Sequence, residues 1–161
     1  MTRLHVPVQV RWSDLDAYGH VNNVAFLTLL EEARIAAFWR GEAVASGSGE
    51  QITTALLDAR PGGGTATIVA RQEVEYLAPI GYQRRPVDVV LWIGKLGGAS
   101  IEISYEVVAT DDEGETFVAA KAATTLVLVD TATGTPRRIA DEERAAWASY
   151  VEEPVRFRHT R

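Results

Sequence analysis

The first regular pattern in the chain is an alternation of apolar and other residues from Val6 to Trp12, the period of a strand with one buried face. A polar stretch that includes Gly19 interrupts it, and the following residues, Val21 to Arg40, are so apolar that they predict a long helix buried on most sides. Asn22, or a residue just before it, is suited to cap this helix. The glycine-rich stretch from Gly41 to Gly64 predicts only a connection.

Four further segments have the composition and spacing of strands, and a turn signal separates each from the next. They run from Thr65 to Leu77, Val87 to Leu96, Ala99 to Thr110 and Glu115 to Val129. Glycine in the breaks between the last three predicts two hairpins, because glycine permits the positive φ of such turns. The order of elements predicts an α+β domain: one strand, one helix and a four-strand meander, forming a five-stranded antiparallel sheet curled around the helix.

The segment from Ala99 to Thr110 has the cleanest alternation and predicts one face that packs and one that meets water. Its apolar face holds Ile101, Ile103, Tyr105 and Val107, and its polar face holds Glu102, Ser104 and Glu106. Downstream, acidic residues in a first turn predict a short helix from Asp141 to Tyr150. We expect residues 136–161 to pack on the domain of residues 1–135, with the last eleven residues frayed.

Length and charge then narrow the kind of protein. The chain has 161 residues, of which 47% are hydrophobic, enough for one well-packed domain. No signal peptide or membrane-spanning run is predicted, so we expect a cytoplasmic protein without a membrane partner. The absence of cysteine excludes disulfides and a cysteine nucleophile. A net charge of -6 disfavours nucleic acid, but a few well-placed arginines would still bind a small anion.

The densest polar cluster lies between the first strand and the helix, where Asp14, Asp16, His20, Asn22 and Asn23 fall within ten residues. A loop entering a buried helix is held at both ends, and the helix start presents free N–H groups and a positive partial charge. Those groups can stabilise an oxyanion while a carboxylate attacks a carbonyl or activates water. This chemistry requires no metal or other cofactor, and we expect none.

The same residues resemble the 4-hydroxybenzoyl-CoA thioesterase family of the hot-dog superfamily. The motif D-x-D-x-x-G-H-V-N-N runs from Asp14 to Asn23, and Glu32-Ala33-Arg34 follows in the helix. Residues 74–79 are similar to the family's Y-x-x-P strand end and residues 97–105 to its glycine-hinged hairpin, so the resemblance covers about residues 5 to 130. It implies a hot-dog fold, an acyl-CoA or acyl-carrier-protein thioester as substrate, and a homodimer or homotetramer with sites at subunit interfaces.

The resemblance also implies roles for particular residues. Asp16 stands where the family has its catalytic carboxylate, which acts as nucleophile or as general base. The backbone N–H of Asn23 would be the oxyanion donor. Substrate-binding residues would be Tyr18, His20, Asn22 and Phe26, the acyl group entering an apolar pocket near Tyr18 and Phe26. The chain departs from the family at residues 81–83, Gly-Tyr-Gln, where members often have Gly-Asp, so a role of that aspartate is not transferable.

Several of these residues have simpler explanations. Asp16 has the position of a turn or cap carboxylate, and Asp14 is better explained as a loop stabiliser than as a reacting group. A metal ion on Asp14, Asp16 and His20 is disfavoured because three close ligands on one turn lack the fixed geometry of metal sites. Glu31 and Glu32 are further candidate carboxylates, but we favour an ion pair of Glu32 with Arg34 or a subunit contact.

The basic residues are candidates for the phosphates of coenzyme A or simply solvated charges. They are Arg84, Arg85, Lys95, Arg137 and Arg138. Two rival functions also stay open at this point. A hot-dog enoyl-CoA hydratase is disfavoured because no D-x-N-P-x-H pattern is present, whereas a non-catalytic acyl-CoA sensor would bind the ligand without turnover and be indifferent to Asp16→Ala.

Overall fold

A computed structural model of the chain describes residues 2–39, 54, 57 and 62–158. Its strands are β1 (Leu4–Val8), β2 (Thr65–Tyr76), β3 (Val87–Leu96), β4 (Ser100–Thr110) and β5 (Thr116–Asp130), and its helices are α1 (Asn23–Phe38) and α2 (Asp141–Trp147). The five strands form one antiparallel sheet, as predicted. Most of the predicted connection from Gly41 to Gly64 lies outside the described residues. In the described part of the chain, neither helix has the length and apolarity needed to cross a membrane.

The strand order is β1-β3-β4-β5-β2. The two predicted hairpins are confirmed, since β3 pairs with β4 and β4 with β5. The predicted four-strand meander is wrong, because β2 pairs with β5 and not with β3. The link from β2 to β3 contacts the polar loop before α1 instead of turning back, with the N–H of Val21 donating to the carbonyl of Ile80 at 2.7 Å. This crossing brings two distant segments to the candidate site.

The first predicted strand is confirmed only in part. Val6, Val8 and Val10 are buried, as the alternation predicted. Trp12 is 71% exposed, so its predicted place on the buried face is wrong. The reason is local, because residues 12–14 form a turn of 3₁₀ helix, closed by the N–H of Asp14 donating to the carbonyl of Arg11, which ends the strand period.

Helix α1 is shorter than the predicted 21–40 stretch, with 16 residues. Asn22 caps it, its side-chain oxygen accepting the N–H of Val24 at 2.9 Å, as predicted. The helix buries Phe26, Leu29, Leu30, Ala33, Ala37 and Phe38 in one core with the inward residues of the sheet, including Ile103 and Leu126. Each fully buried Leu or Phe side chain contributes about 1.5–3 kcal/mol. Sheet and helix are consistent with a hot-dog fold, although the described chain contains a second short helix besides α1.

The outer face of the sheet is covered around Ser104, where water was expected. Ser104 is fully buried, because residues 151–158 cross this face. The N–H of Val155 donates to Ser104 Oγ at 3.0 Å, and the indole of Trp92 donates to the carbonyl of Glu153 at 2.9 Å. The N–H of Glu152 donates to the carbonyl of Ile93 at 2.9 Å. The prediction of a frayed C-terminal tail is therefore wrong for these residues. Local composition does not reveal that a segment will form hydrogen bonds across the outer face of a sheet.

Candidate active site

The polar loop before α1 folds back on itself as a short hairpin. The N–H of Asn22 donates to the carbonyl of Asp14, and that of Asp16 to the carbonyl of His20, both at 2.8 Å. The turn is closed by Gly19, which adopts a left-handed φ of 75° and donates to the carbonyl of Asp16 at 3.1 Å. The hairpin therefore holds Asp16 in a fixed relation to the helix that begins one residue after Asn22.

Asp16 uses one carboxylate oxygen to hold this turn. Its Oδ1 accepts the N–H of Tyr18 at 2.9 Å and the N–H of His20 at 3.2 Å. Among the described residues, Oδ2 accepts no hydrogen bond, and the side chain is only partly buried. A structural role and a chemical role are thus compatible, because one oxygen positions the carboxylate and the described residues leave the other without a hydrogen bond.

Asp14 is in the opposite situation. It is only 5% exposed, and Arg11 saturates it: the backbone N–H donates to Oδ2 at 2.7 Å and Nη2 donates to Oδ1 at 3.0 Å. Burial by itself raises the pKa of Asp14, but the hydrogen bonds and charge of Arg11 outweigh burial and lower that pKa. This geometry agrees with its interpretation as a loop stabiliser.

The helix start leaves N–H groups unused. The cap takes the N–H of Val24, and the carbonyl of Asn22 accepts the N–H of Phe26 at 3.2 Å. Within the described residues, the N–H of Asn23 has no hydrogen-bond partner. The Asn23 carbonyl accepts the hydroxyl of Tyr76 at 3.0 Å. A free N–H at the positive end of a 16-residue helix is suited to stabilise a developing oxyanion.

The remaining predicted substrate residues fall into two groups. Phe26 is buried, with its ring edge-on to that of Tyr76 and the centroids 5.2 Å apart. Tyr18, in the turn of the hairpin, is 84% exposed, and His20, just after the turn, is exposed as well. The structure therefore brings Phe26 into the wall below the helix start and leaves Tyr18 and His20 facing solvent. Their contact with a substrate stays a prediction.

Sequence reasoning missed a ring pair beside this loop. Trp12 and Tyr82 stack with centroids 4.2 Å apart and planes 12° apart. They meet because the link from β2 to β3 docks on the hairpin, His20 forming an antiparallel bridge with Gly81. The available signal was Tyr82 itself, which stands where the resembled family often has aspartate. Nothing in local spacing connects it with Trp12, seventy positions earlier.

The expected ion pair of Glu32 with Arg34 is not the one that forms. Arg34 is buried and its Nη2 lies 3.5 Å from Oε1 of Glu31. A spacing of three residues places side chains on the same helix face, whereas a spacing of two does not. Glu32 is exposed and near enough to Arg11 for its charge to contribute, after Asp14, to raising the pKa of Arg11.

The candidate phosphate-binding residues lie at opposite ends of the sheet. Arg137 is committed elsewhere, since its Nη2 and Nη1 donate to the two oxygens of Glu143 at 2.6 and 2.9 Å. Arg84 and Arg85 are exposed and, in the described part of the chain, form no ion pair. They precede β3 at the end of the sheet where the polar loop lies, whereas Lys95 lies at the other end of β3.

No group of three or more His, Cys, Asp or Glu side chains suited to a metal ion occurs among the described residues. Of the three residues considered as ligands, Asp14 is held by Arg11 and His20 pairs through its backbone with Asp16 and Gly81. The loop of Asp16 and the helix start that follows it contain a carboxylate oxygen and a backbone N–H, that of Asn23, that the described residues leave unbonded. These two groups are of the types that acyl-transfer chemistry uses.

The sequence comparison agrees with this class of site. The family model of the thioesterase-like superfamily matches residues 10–154. The chain belongs to this superfamily. None of the curated proteins compared matches the chain.

Solved structures of thioesterases resemble the chain over nearly its whole length. A thioesterase from Thermus thermophilus, solved with coenzyme A and Zn, is 32% identical, with a TM-score of 0.64 and coverage of 91% of this chain and 92% of that one. The DHNA-CoA thioesterase of Staphylococcus aureus is 20% identical, with a TM-score of 0.65 and coverage of 92% and 91%. A thioesterase-superfamily protein from Jannaschia sp. CCS1 is 18% identical, with a TM-score of 0.70 and coverage of 94% of both chains. The last two similarities concern the fold alone.

Proposed function

We propose that the protein is an acyl-CoA thioesterase of the 4-hydroxybenzoyl-CoA thioesterase type, which hydrolyses an acyl thioester to a free acid and coenzyme A. The observation that carries the proposal is that the two carboxylate oxygens of Asp16 differ in their hydrogen bonds. Its Oδ1 holds the loop through two backbone N–H groups, and its Oδ2 is unengaged among the described residues. The free N–H of Asn23 supplies a donor for the thioester oxygen at the start of the helix.

The proposed reaction begins with the thioester carbonyl at the start of α1. As a general base, Asp16 takes a proton from water, the resulting hydroxide attacks the carbonyl carbon, and the oxyanion is stabilised by the N–H of Asn23. The C–S bond then breaks, and the proton held by Asp16 passes to the leaving thiolate. As a nucleophile, Asp16 instead forms a C–O bond to the acyl carbon and expels the thiolate, and water hydrolyses the mixed anhydride. Both routes use the same Oδ2.

The proposed substrate contacts are based on the position of the loop. Phe26 and the ring of Tyr76 form an apolar wall below the helix start, and the acyl group would lie against it. We assign Tyr18, His20 and Asn22 to the rim of the site, Asn22 through its cap of α1. Coenzyme A is favoured over an acyl carrier protein as the carrier because the related Thermus thermophilus thioesterase was solved with coenzyme A.

The proposed assembly is a homodimer or homotetramer. Strand β2 is an edge of the sheet in the described chain, and it exposes the apolar side chains of Ile68 and Val69. An exposed apolar edge strand is a template for pairing with another chain, and natural proteins protect such edges. A second copy pairing along β2 would protect this edge and place a partner near the loop of Asp16, since the carbonyl of Asn23 is bound by Tyr76 at the end of β2.

The test compares thiol release by the wild type and by Asp16→Asn over a panel of short, long, branched and aromatic acyl-CoA substrates. Asparagine keeps an oxygen for the N–H groups of Tyr18 and His20, so the loop should stay folded while the base is lost. We expect a decrease of about 10²–10⁴-fold in kcat. The chain contains no cysteine, so a thiol reagent reports only the coenzyme A released.

Glu32→Gln is the matched control, because it removes a helix carboxylate in the same manner and should leave the rate within about twofold. Full activity of Asp16→Asn would refute the assignment and direct attention to Glu31 and Glu32. Binding of acyl-CoA by the wild type without any thiol release would refute catalysis and favour a sensor. Consumption of crotonyl-CoA without thiol release would favour a hydratase.

A further inference from the structure

We infer that the stacked rings of Trp12 and Tyr82, together with Arg84 and Arg85, form the surface that binds the adenine nucleotide end of coenzyme A. The four residues are called the ring surface below. The inference rests on the proposed acyl-CoA substrate and adds to it the part of the site that recognises the carrier. None of the residues implied by the family resemblance belongs to this surface.

The ring pair is unusual because it is not buried. Stacked aromatic side chains in proteins contribute most when they bury their large apolar areas. Trp12 and Tyr82 stack with centroids 4.2 Å apart, yet Trp12 is 71% and Tyr82 39% exposed. A free face of indole at the surface is suited to stack on a nucleic acid base, which is worth about 1–3 kcal/mol for each base.

The surface is held in place before any ligand arrives. Trp12 lies in the 3₁₀ turn that Arg11 and Asp14 fix from both sides. The segment carrying Tyr82 is anchored at two points, through the carbonyl of Ile80 and through the carbonyl of Gln83, which accepts the side chain of Gln9 at 3.3 Å. Rings ordered in advance lose little conformational entropy on binding, so their stacking translates into affinity.

Charge favours a phosphate-bearing ligand. Arg84 and Arg85 follow Tyr82 by two and three positions, are exposed, and form no ion pair in the part of the chain that the structure describes. Arginine binds phosphate oxygens through two parallel hydrogen bonds. Because the chain as a whole carries a charge of -6, an anion would be repelled at long range and held only where arginines are uncompensated.

The position of Arg84 and Arg85 in the fold also favours them over the other basic candidates. Val8 pairs with Val87 where β1 ends and β3 begins, so the ring surface and the loop of Asp16 share one end of the sheet. Lys95 lies near the other end of β3, and the N–H of Ile139, next to Arg138, donates to the carbonyl of Gly98 there. An acyl group needs an enclosed apolar wall, such as that of Phe26. An exposed ring pair beside two arginines fits the polar, water-facing nucleotide end instead.

The experiment measures binding of adenosine 3′,5′-bisphosphate by titration calorimetry to the full chain. The variants are Trp12→Ala, Trp12→Phe and the double variant Arg84→Ala/Arg85→Ala. The matched control is Lys95→Ala/Arg138→Ala, which removes the same amount of positive charge at the opposite end. We expect about a tenfold or greater loss of affinity for Trp12→Ala and for the arginine pair, a smaller loss for Trp12→Phe, and no loss for the control. The arginine pair should also flatten the salt dependence of binding.

A second readout uses one acyl group carried by coenzyme A and by pantetheine, which lacks the nucleotide. The ring-surface variants should raise KM for the acyl-CoA and leave KM for the acyl-pantetheine unchanged. Equal binding of the bisphosphate by the wild type, Trp12→Ala and the arginine variant would overturn the inference. A change in molecular mass of Trp12→Ala in light scattering, with nucleotide affinity retained, would overturn it too and identify the ring pair as a contact between two copies of the chain.

The two proposals can fail separately. If Asp16→Asn retains its full rate while the ring-surface variants lose the bisphosphate, the catalytic assignment fails and the nucleotide surface stands. If the wild type hydrolyses acyl-CoA and does not bind the bisphosphate, the catalytic proposal stands and the ring-surface inference fails. The arginine variant keeps both rings of the stacked pair, so it keeps the test valid if Trp12→Ala proves unstable.

Discussion

The two ends of the sheet differ in how far their polar side chains are bonded within the protein. At the end with the Gly97–Gly98 turn, two arginines are engaged by the protein: Arg137 binds Glu143 through two hydrogen bonds, and Arg144 donates to the carbonyl of Gly97 at 2.8 Å. At the end with the polar loop, binding capacity is left over. Asp16 has a free oxygen, and Arg84 and Arg85 have no counter-ion among the described residues.

The same contrast holds for the large rings. Trp147, next to the turn end, is fully buried, with its indole N–H donating to the carbonyl of Thr54 at 3.0 Å. Trp12, at the loop end, is mostly exposed. A group whose hydrogen bonds and contacts are complete stabilises the fold, whereas one left incomplete on a rigid frame is available to a ligand. Substitutions of groups with complete contacts should therefore affect stability, and substitutions of groups with incomplete contacts should affect binding and rate.

The largest expected difference in stability is between substitutions of the two tryptophans. Trp147→Ala should lower the free energy of unfolding by about 3–5 kcal/mol, because it empties a packed site against Phe38 and leaves the carbonyl of Thr54 without its donor. Trp12→Ala should cost about 1 kcal/mol or less, since most of the ring is already in water. Urea unfolding of both variants measures the difference, and equal losses would contradict the contrast between the ends.

A smaller effect separates the two aspartates of the loop. Asp14→Asn should cost about 1.5–3 kcal/mol of unfolding free energy, because the amide replaces one of the oxygens that accept from Arg11 inside a buried site. Asp16→Asn should change stability by about 0.5 kcal/mol or less, since asparagine still accepts from Tyr18 and His20. Denaturant unfolding and thiol release measured on the same samples would test this. A larger loss of stability for Asp16→Asn than for Asp14→Asn would refute it.

The next effect is on the pH dependence of stability. Burial by itself raises the pKa of Glu143, but the hydrogen bonds from Arg137 and from the N–H of Ala140 outweigh it and lower the pKa below its ordinary value of 4.5. A carboxyl whose pKa is lowered by folding stabilises the protein above its unfolded pKa, and this contribution is lost as the pH falls through the folded value. Thermal unfolding of the wild type should therefore shift to lower temperature below about pH 4.5.

Glu143→Gln should lose about 1 kcal/mol at pH 7 and show a flatter acid limb than the wild type, because the titrating group is gone. The residual slope should come from Asp14 and Glu152, whose pKa values are lowered in the same direction, that of Asp14 by Arg11 against the effect of burial and that of Glu152 by its hydrogen bond from Arg3. Thermal melts from about pH 3 to pH 7 provide the measurement. Parallel curves for the wild type and Glu143→Gln would contradict the prediction.

The smallest expected effect concerns the C-terminal segment on the outer face. A Cβ added to Gly94 would lie 2.8 Å from Ser104 Oγ and 3.1 Å from the Cα of Pro154, so Gly94→Ala should shift the chain around Pro154 away from Ser104. We expect faster hydrogen exchange at Val155, a loss of about 1 kcal/mol or less and an unchanged rate. Gly98→Ala is the matched control, because its Cβ would meet nothing within 4 Å. Equal protection of Val155 in both variants would contradict the prediction.

Local patterns were enough for the two hairpins and for part of the site. The range predicted for β3 agrees with the observed Val87–Leu96, and the two glycine-containing breaks are hairpins. Alternation and turn chemistry act between near neighbours, so they are readable along the chain. The same holds for Asn22, whose cap involves a residue two positions away.

Other features depend on contacts between distant segments. The pairing of β2 with β5, the exposure of Trp12 against Tyr82 and the burial of Ser104 under the C-terminal segment each join residues far apart in sequence. Their residue types were visible, but their partners were not. Glycine in a turn or alternation in a strand carries no information about which remote segment will pack against it.

The sequence by itself determined the class of domain, the hairpins, the capped helix and the loop that carries Asp16, because each depends on residues a few positions apart. Only the tertiary structure decided which charges remain available. In the sequence nothing distinguishes the charge of Asp14 from that of Asp16, or the charge of Arg137 from that of Arg84. In the fold, Arg11 saturates Asp14 and Glu143 saturates Arg137. Whether a charge serves the fold or a ligand depends on the partner that folding brings to it, and that is a property of three-dimensional packing.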